Sequence, residues 1–104
     1  MEITIETTFL PLILAYDDLP AGVKLIRQPA VERRSADYSA IVTGVLTFSS
    51  SVSASIVAAW IYDKIKKVKD KPEFRIKINE KIVHQIDENS ITEMIQREIE
   101  ITKK

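Results

Sequence analysis

No cysteine occurs among the 104 residues. No disulfide can staple the chain, and no thiolate zinc site can form. That fits a reducing compartment, and the chain reads as cytoplasmic. Glycine is nearly as scarce. Gly22 and Gly44 are the only two, so no glycine-rich loop is available to cradle a phosphate. His84 is the single histidine. With no cysteine and no second histidine to complete a ligand set, it reads as a structural or surface residue rather than a metal ligand. Ser49, Ser50 and Ser51 form a run of hydroxyls, but a nucleophilic serine needs an adjacent base and a third group to orient that base. Asp17-Asp18 reads as turn chemistry rather than a catalytic pair of carboxylates. No catalytic residue, metal, cofactor or small-molecule substrate is expected, and the chain reads as non-enzymatic. Net charge is zero, which argues against a general nucleic-acid binder.

The chain is 45 % apolar and 29 % charged, enough for one domain, residues 1–104, with a modest core. Its charges are unevenly placed. Glu2, Glu6, Asp17 and Asp18 are the only charged side chains in residues 1–22. Residues 63–81 carry Lys64, Lys66, Lys67, Lys69, Lys71, Arg75, Lys77 and Lys81 against four acids. Cations are favoured at a helix C-terminus, so a solvated helix end explains much of this cluster. The opening "MEITIETTF" has acids where the basic region of a signal peptide would lie.

The architecture turns on one run. From Tyr38 to Tyr62 there is no charge, yet eight of the 25 residues are Ser or Thr. Tyr38, Ile41, Val42, Val45, Phe48, Val52, Ile56, Ala59 and Trp60 recur at steps of three and four, which predicts a helical face. The expectation is one long helix over roughly residues 37–67, capped by Ser35 or Asp37, or two pieces meeting near Ser50, where serines lower helix propensity. Leu46, Val57, Ile61 and Ile65 lie off the main face, so such a helix needs cover on more than one side. Small residues four apart, such as Ser51/Ser55 and Ala54/Ala58, let its backbone approach a neighbour closely.

The flanking segments are simpler. Ile3 and Ile5 alternate with polar residues, which predicts a strand. A short helix over Leu10–Tyr16, with Thr8 as its cap, and a second strand over Gly22–Pro29 follow. Phe74, Ile76 and Ile78, then Ile82, His84 and Ile86, alternate around Asn79-Glu80-Lys81 and predict a β-hairpin. A C-terminal helix begins at Asn89 or Ser90, with Ser90-x-x-Glu93 as a capping box. Ile91, Met94, Ile95, Ile99 and Ile101 form its apolar stripe. The expected fold is α+β: a small mixed sheet including the C-terminal hairpin, packed on one long apolar small-residue helix and a short C-terminal helix.

"GVKLIRQPAVERRSADYSAIVTGVLTFSSSVSASIVAAWIYDKIKK" with "FRIKINEKIVHQI" resembles the effector-associated constant component family of bacterial conflict systems. The likeness covers about residues 22–95. It rests on the strand Val23 to Pro29, the serine-rich middle at Ser49 to Ser51, Trp60 ahead of Lys64, Lys66 and Lys67, and the Phe74 to Ile86 hairpin. It implies a small non-enzymatic component that couples effector modules within a defence system.

These readings combine into an interaction or adaptor component that binds a protein partner, such as an effector module, or a second copy of itself. The expected partner-binding residues are Leu46, Val57, Trp60, Ile61 and Ile65. One alternative is a small protein associated with the inner membrane and anchored by residues 39–62, with Trp60 and Tyr62 as an interfacial belt. It is disfavoured because the strands before and after a membrane helix would lie on opposite sides of the bilayer, unable to pair. Another is a phage or host inhibitor that acts by binding.

Overall fold

A computed structural model describes residues 1–14, 17–27, 32–33, 40–49 and 51–102. The first strand, β1 (Glu2–Thr7), is the one that the alternation predicts. Ile3 and Ile5 are fully buried, while Glu2 is exposed. A four-residue helix, α1 (Pro11–Leu14), follows, with proline suited to its first position. The expected cap, Thr8, is engaged elsewhere: its hydroxyl accepts the Arg75 N–H at 2.9 Å. The Thr7 hydroxyl accepts the Phe9 N–H instead, at 3.0 Å. Strand β2 (Val23–Arg27) and the two-residue β3 (Glu32–Arg33) come next. The predicted end of the second strand at Pro29, the Ser35 or Asp37 cap, Tyr38 and Ser50 lie outside the described residues.

The long-helix expectation is overturned. Ala40–Phe48 is a nine-residue strand, β4, and only Ala54–Ile65 is helical, as α2. Five of the nine β4 residues are β-branched: Ile41, Val42, Thr43, Val45 and Thr47. Such side chains fit a pleated surface better than a helix. Val42, Gly44, Leu46 and Phe48 are buried, and Ile41, Thr43, Val45 and Thr47 are half-buried. That is period two. Over so short a span, the helical spacing of Ile41, Val42, Val45 and Phe48 is a coincidence of pattern. The break near Ser50 falls at the correct place, but the first piece is a strand. Val52 N–H donates to the Ser49 carbonyl at 3.1 Å in the turn between them. Ser53 occupies the N-cap of α2 with extended backbone (φ −80°, ψ 155°), and its hydroxyl bonds that of Ser55 at 3.0 Å.

The hairpin forms from β5 (Ile76–Ile78) and β6 (Lys81–Ile82), and α3 (Glu88–Thr102) closes the chain. At 15 residues α3 is the longest helix described rather than a short one. Its cap is Asp87, two residues before Asn89 and three before Ser90, the expected positions. Asp87 Oδ1 accepts the Ser90 N–H at 2.7 Å, and Oδ2 accepts the Ser90 hydroxyl at 3.2 Å. A carboxylate at this position also answers the positive end of the helix dipole.

The strands lie in the order β2-β4-β1-β5-β6, with β3 paired to the start of β4. Every pairing is antiparallel, so the sheet is not mixed as expected. The helices share one face of it, which makes the fold an α+β two-layer arrangement. Ile3 and Ile5, Val23 and Leu25, Leu46 and Phe48, and Ile76 and Ile78 meet Ile13, Val57, Ile61, Ile65, Ile91 and Ile95 in one hydrophobic cluster. Packing of α2 against both sheet and α3 covers the helix on the several sides that its composition requires. A further tie comes from Trp60, whose Nε1–H donates to the Asp17 carbonyl at 2.9 Å. Lys64 adds an ion pair with Asp17, and its ammonium lies 3.7 Å from the Asp18 carboxylate.

Among the described residues no helix is long and apolar enough to cross a membrane. The uncharged run divides between a strand of nine residues and a helix of twelve, so residues 39–62 do not form the anchor helix of the membrane alternative.

The β5–β6 connection is a two-residue turn in which Asn79 (φ 48°) and Glu80 (φ 69°) are both left-handed. Turns of this kind favour Asn-Gly, because glutamate has a Cβ penalty there that glycine escapes. Glu80→Gly is therefore expected to raise the urea midpoint, by about 0.5–1 kcal/mol in unfolding free energy. An unchanged or lower midpoint would show that the turn carries no such strain.

Candidate functional site

The residues expected to meet a partner are core residues. Leu46 is 0 %, Val57 1 %, Trp60 6 %, Ile61 0 % and Ile65 0 % exposed. Leu46 points from β4 into the cluster, and the other four come from α2. The apolar excess that the sequence assigns to a partner is covered by the chain's own sheet and by α3. In this fold these five side chains belong to the chain's own hydrophobic cluster.

His84 is exposed and lies beyond the end of β6 rather than within a strand. The buried residue there is Val83. His84 lines a cleft of about 360 Å³ with Ser90, Glu93, Met94 and Arg97 of α3 and Ile82 of the hairpin. The described serines of the hydroxyl run pair with each other, Ser49 Oγ lying 2.7 Å from Ser51 Oγ. Among the described residues no group of three His, Cys, Asp or Glu is placed to hold a metal ion.

The polar side of that cleft has a structural task. Thr4 N–H donates to Asn79 Oδ1, and Asn79 N–H donates to the Thr4 carbonyl, both at 2.8 Å. Asn79 thus extends the β1–β5 ladder through the turn. Its amide nitrogen donates to Glu98 Oε1 at 2.8 Å, and the Lys81 ammonium meets Glu98 Oε2 at 2.8 Å. The Lys81 hydrogen bond, then that of Asn79, holds the Glu98 carboxyl below its ordinary range against the opposing effect of burial. Asp87 is likewise lowered, first by the Ser90 backbone N–H.

Both carboxyls have a folded-state pKa below the unfolded one. The native state therefore binds fewer protons in mild acid. Their contribution to stability is complete above the unfolded values near pH 4 and is lost as pH falls through the folded values. Urea midpoints are expected to hold from neutral pH down to about pH 5 and to drop below it. In Glu98→Gln the drop should be shallower. Equal slopes for the two proteins would mean that Glu98 is not coupled to folding.

The basic end of α2 is also locally accounted for. Lys66 meets Asp63 at 3.0 Å, which with Lys66 as first cause lowers the Asp63 carboxyl. The Lys69 ammonium lies 5.9 Å from the centre of the Tyr62 ring, within cation–π range. Asp17 raises the Lys64 ammonium's pKa. Asp17 and Asp18 thus serve as partners of this basic end.

A further surface among the described residues is the face of the sheet turned away from the helices. Strand alternation sends Ile3, Ile5, Leu25, Gly44 and Leu46 inward. The same alternation turns Lys24 and Ile26, Thr43, Val45 and Thr47, Glu2, Thr4 and Glu6, and Lys77 outward. The pairing register arranges them in rows across the strands. Lys24, Thr47 and Glu2 form one row, and Ile26, Val45 and Thr4 the next. Thr43, Glu6 and Lys77 form a third. Ile26 is 57 % exposed, the most exposed large apolar side chain on this face. Sequence reasoning missed the surface because it placed Val45 and Ile41 on a helix. The β-branched content of Ala40–Phe48 is the signal that could have found it.

No protein-family model matches the chain, and neither a curated protein nor a solved structure is significantly similar to it.

Proposed function

We propose that the protein is a non-enzymatic interaction component that works by protein–protein contact through the open face of its sheet. The observation that supports this reading is Ile26, 57 % exposed, set beside Val45 on a face with three threonines and separate charges at its corners. Exposed apolar positions framed by polar ones are the ordinary composition of a binding surface. The resemblance to the effector-associated constant component family supports a cytoplasmic role in a bacterial conflict system. Because the apolar residues of α2 are buried, we assign the contact to the sheet rather than to the helix.

Light scattering of the full chain, alone and mixed with the products of neighbouring genes, tests the reading. A complex of defined mass that Ile26→Glu disrupts without unfolding the chain supports it. Hydrolysis of an ester, phosphoester or peptide substrate by the purified chain, abolished by His84→Ala, would overturn it.

A further inference from the structure

One row of the open face is self-complementary in charge. In the row Lys24–Thr47–Glu2, the cation and the anion stand on strands β2 and β1, equally placed on either side of β4. A two-fold axis running parallel to β4, between two such faces, superimposes β2 of one copy on β1 of the other. Each Lys24 then stands opposite the Glu2 of the second copy, and the match occurs twice. On the same axis Val45 meets Val45 and Thr47 meets Thr47, while Ile26 lies over Thr4, whose methyl group gives it apolar cover. The axis leaves the direction of β4 unchanged, so the two sheets pack in the aligned rather than the orthogonal class.

Resting on the reading of this face as a contact surface, we infer that its partner is a second copy of the chain, joined face to face as a two-fold dimer. Closed two-fold contacts use one patch twice and need it to be self-complementary. This row provides that complementarity in charge, and Ile26 and Val45 provide the apolar centre. Three strands about 4.8 Å apart and five residues long at about 3.4 Å each make a patch of roughly 14 × 17 Å. That is small for a specific interface. The dimer is therefore dissociable, with a dissociation constant on the order of tens of micromolar.

Sedimentation velocity of the full chain, from about 5 to about 500 μM, reads this range directly. The expected result is a shift from monomer mass toward twice that mass as concentration rises. Lys24→Glu sets two carboxylates against each other at both ends of the contact, and Glu2→Lys sets two ammonium groups together. Each should weaken dimerisation roughly tenfold, more at low salt, and the two combined should restore it. Val45→Glu should abolish it. Circular dichroism and urea midpoints confirm that each variant is folded. A chain that stays monomeric at every concentration overturns the inference. So does a dimer whose strength ignores the charge reversals. If the chain is monomeric but forms a complex with another protein that Ile26→Glu disrupts, self-association is refuted while the open face remains a contact surface.

Discussion

Ile61→Ala is expected to lower the unfolding free energy by about 3 kcal/mol, within the usual range of about 2–5 kcal/mol for such truncations in a core. Ile61 is 0 % exposed, on the side of α2 enclosed by sheet and α3. Removing its outer carbons loses their transfer energy and leaves a cavity that close-packed neighbours only partly fill. A small domain has about 5–15 kcal/mol in total, so the loss would be plain in a urea titration. Ile56 is the matched control. It belongs to the same helix but is 47 % exposed, and Ile56→Ala should change stability by no more than about 0.5 kcal/mol. If Ile61→Ala also changed it by less than about 1 kcal/mol, Ile61 would not be enclosed, and the enclosed placement of α2 would be wrong.

Gly44→Val should cost about 2–3 kcal/mol, in the range found for overpacked cores. The sign is informative because strand propensity points the other way. Glycine weakens a strand interior and valine suits one, a difference of up to about 1 kcal/mol in favour of the variant. Packing outweighs that preference here. A Cβ on Gly44 would lie 2.8 Å from Ile13 Cδ1 and 3.0 Å from Leu25 Cδ1, closer than side chains tolerate. The missing side chain is what lets α1 lie on the sheet. Gly44→Ala should cost less, about 1 kcal/mol, because the opposing atoms are methyl ends that can turn aside. Ile13→Val removes the nearest of them, so the double variant should recover at least about 0.5 kcal/mol relative to the sum of the singles. Greater stability in Gly44→Val than in the wild type would show that Ile13 does not pack on this strand.

Several parts of the molecule were legible from local pattern. The alternation of Ile3 and Ile5 yields β1. Alternation around Asn79-Glu80-Lys81 points to the hairpin, although its second strand is only Lys81–Ile82 and the buried residue after it is Val83, and the stripe of Ile91, Ile95 and Ile99 yields α3. Each pattern lies within one short segment, and no distant residue is needed to interpret it. Even there the terminal details depend on geometry. Asp87 takes the cap because its carboxylate reaches Ser90.

Ala40–Phe48 is different. Its apolar residues suit a helix and a strand nearly equally over nine positions, and its backbone groups decide the matter by where they find partners. β1 supplies them on one side of β4 and β2 on the other. Once β4 is a strand, it lies inside the sheet, between β2 and β1. Its odd-numbered residues Thr43, Val45 and Thr47 then join the exposed face, and Leu46 enters the core. The partner-facing residues suffered the same ambiguity, since an apolar side chain on α2 looks alike in sequence whether α3 or another molecule covers it. The sequence by itself determined the class of fold, the hairpin and the terminal elements, because those depend on hydrophobic period and turn chemistry within a few residues. Only the tertiary structure decided which face remained open, because that depends on the register of strands about 40 residues apart in the chain.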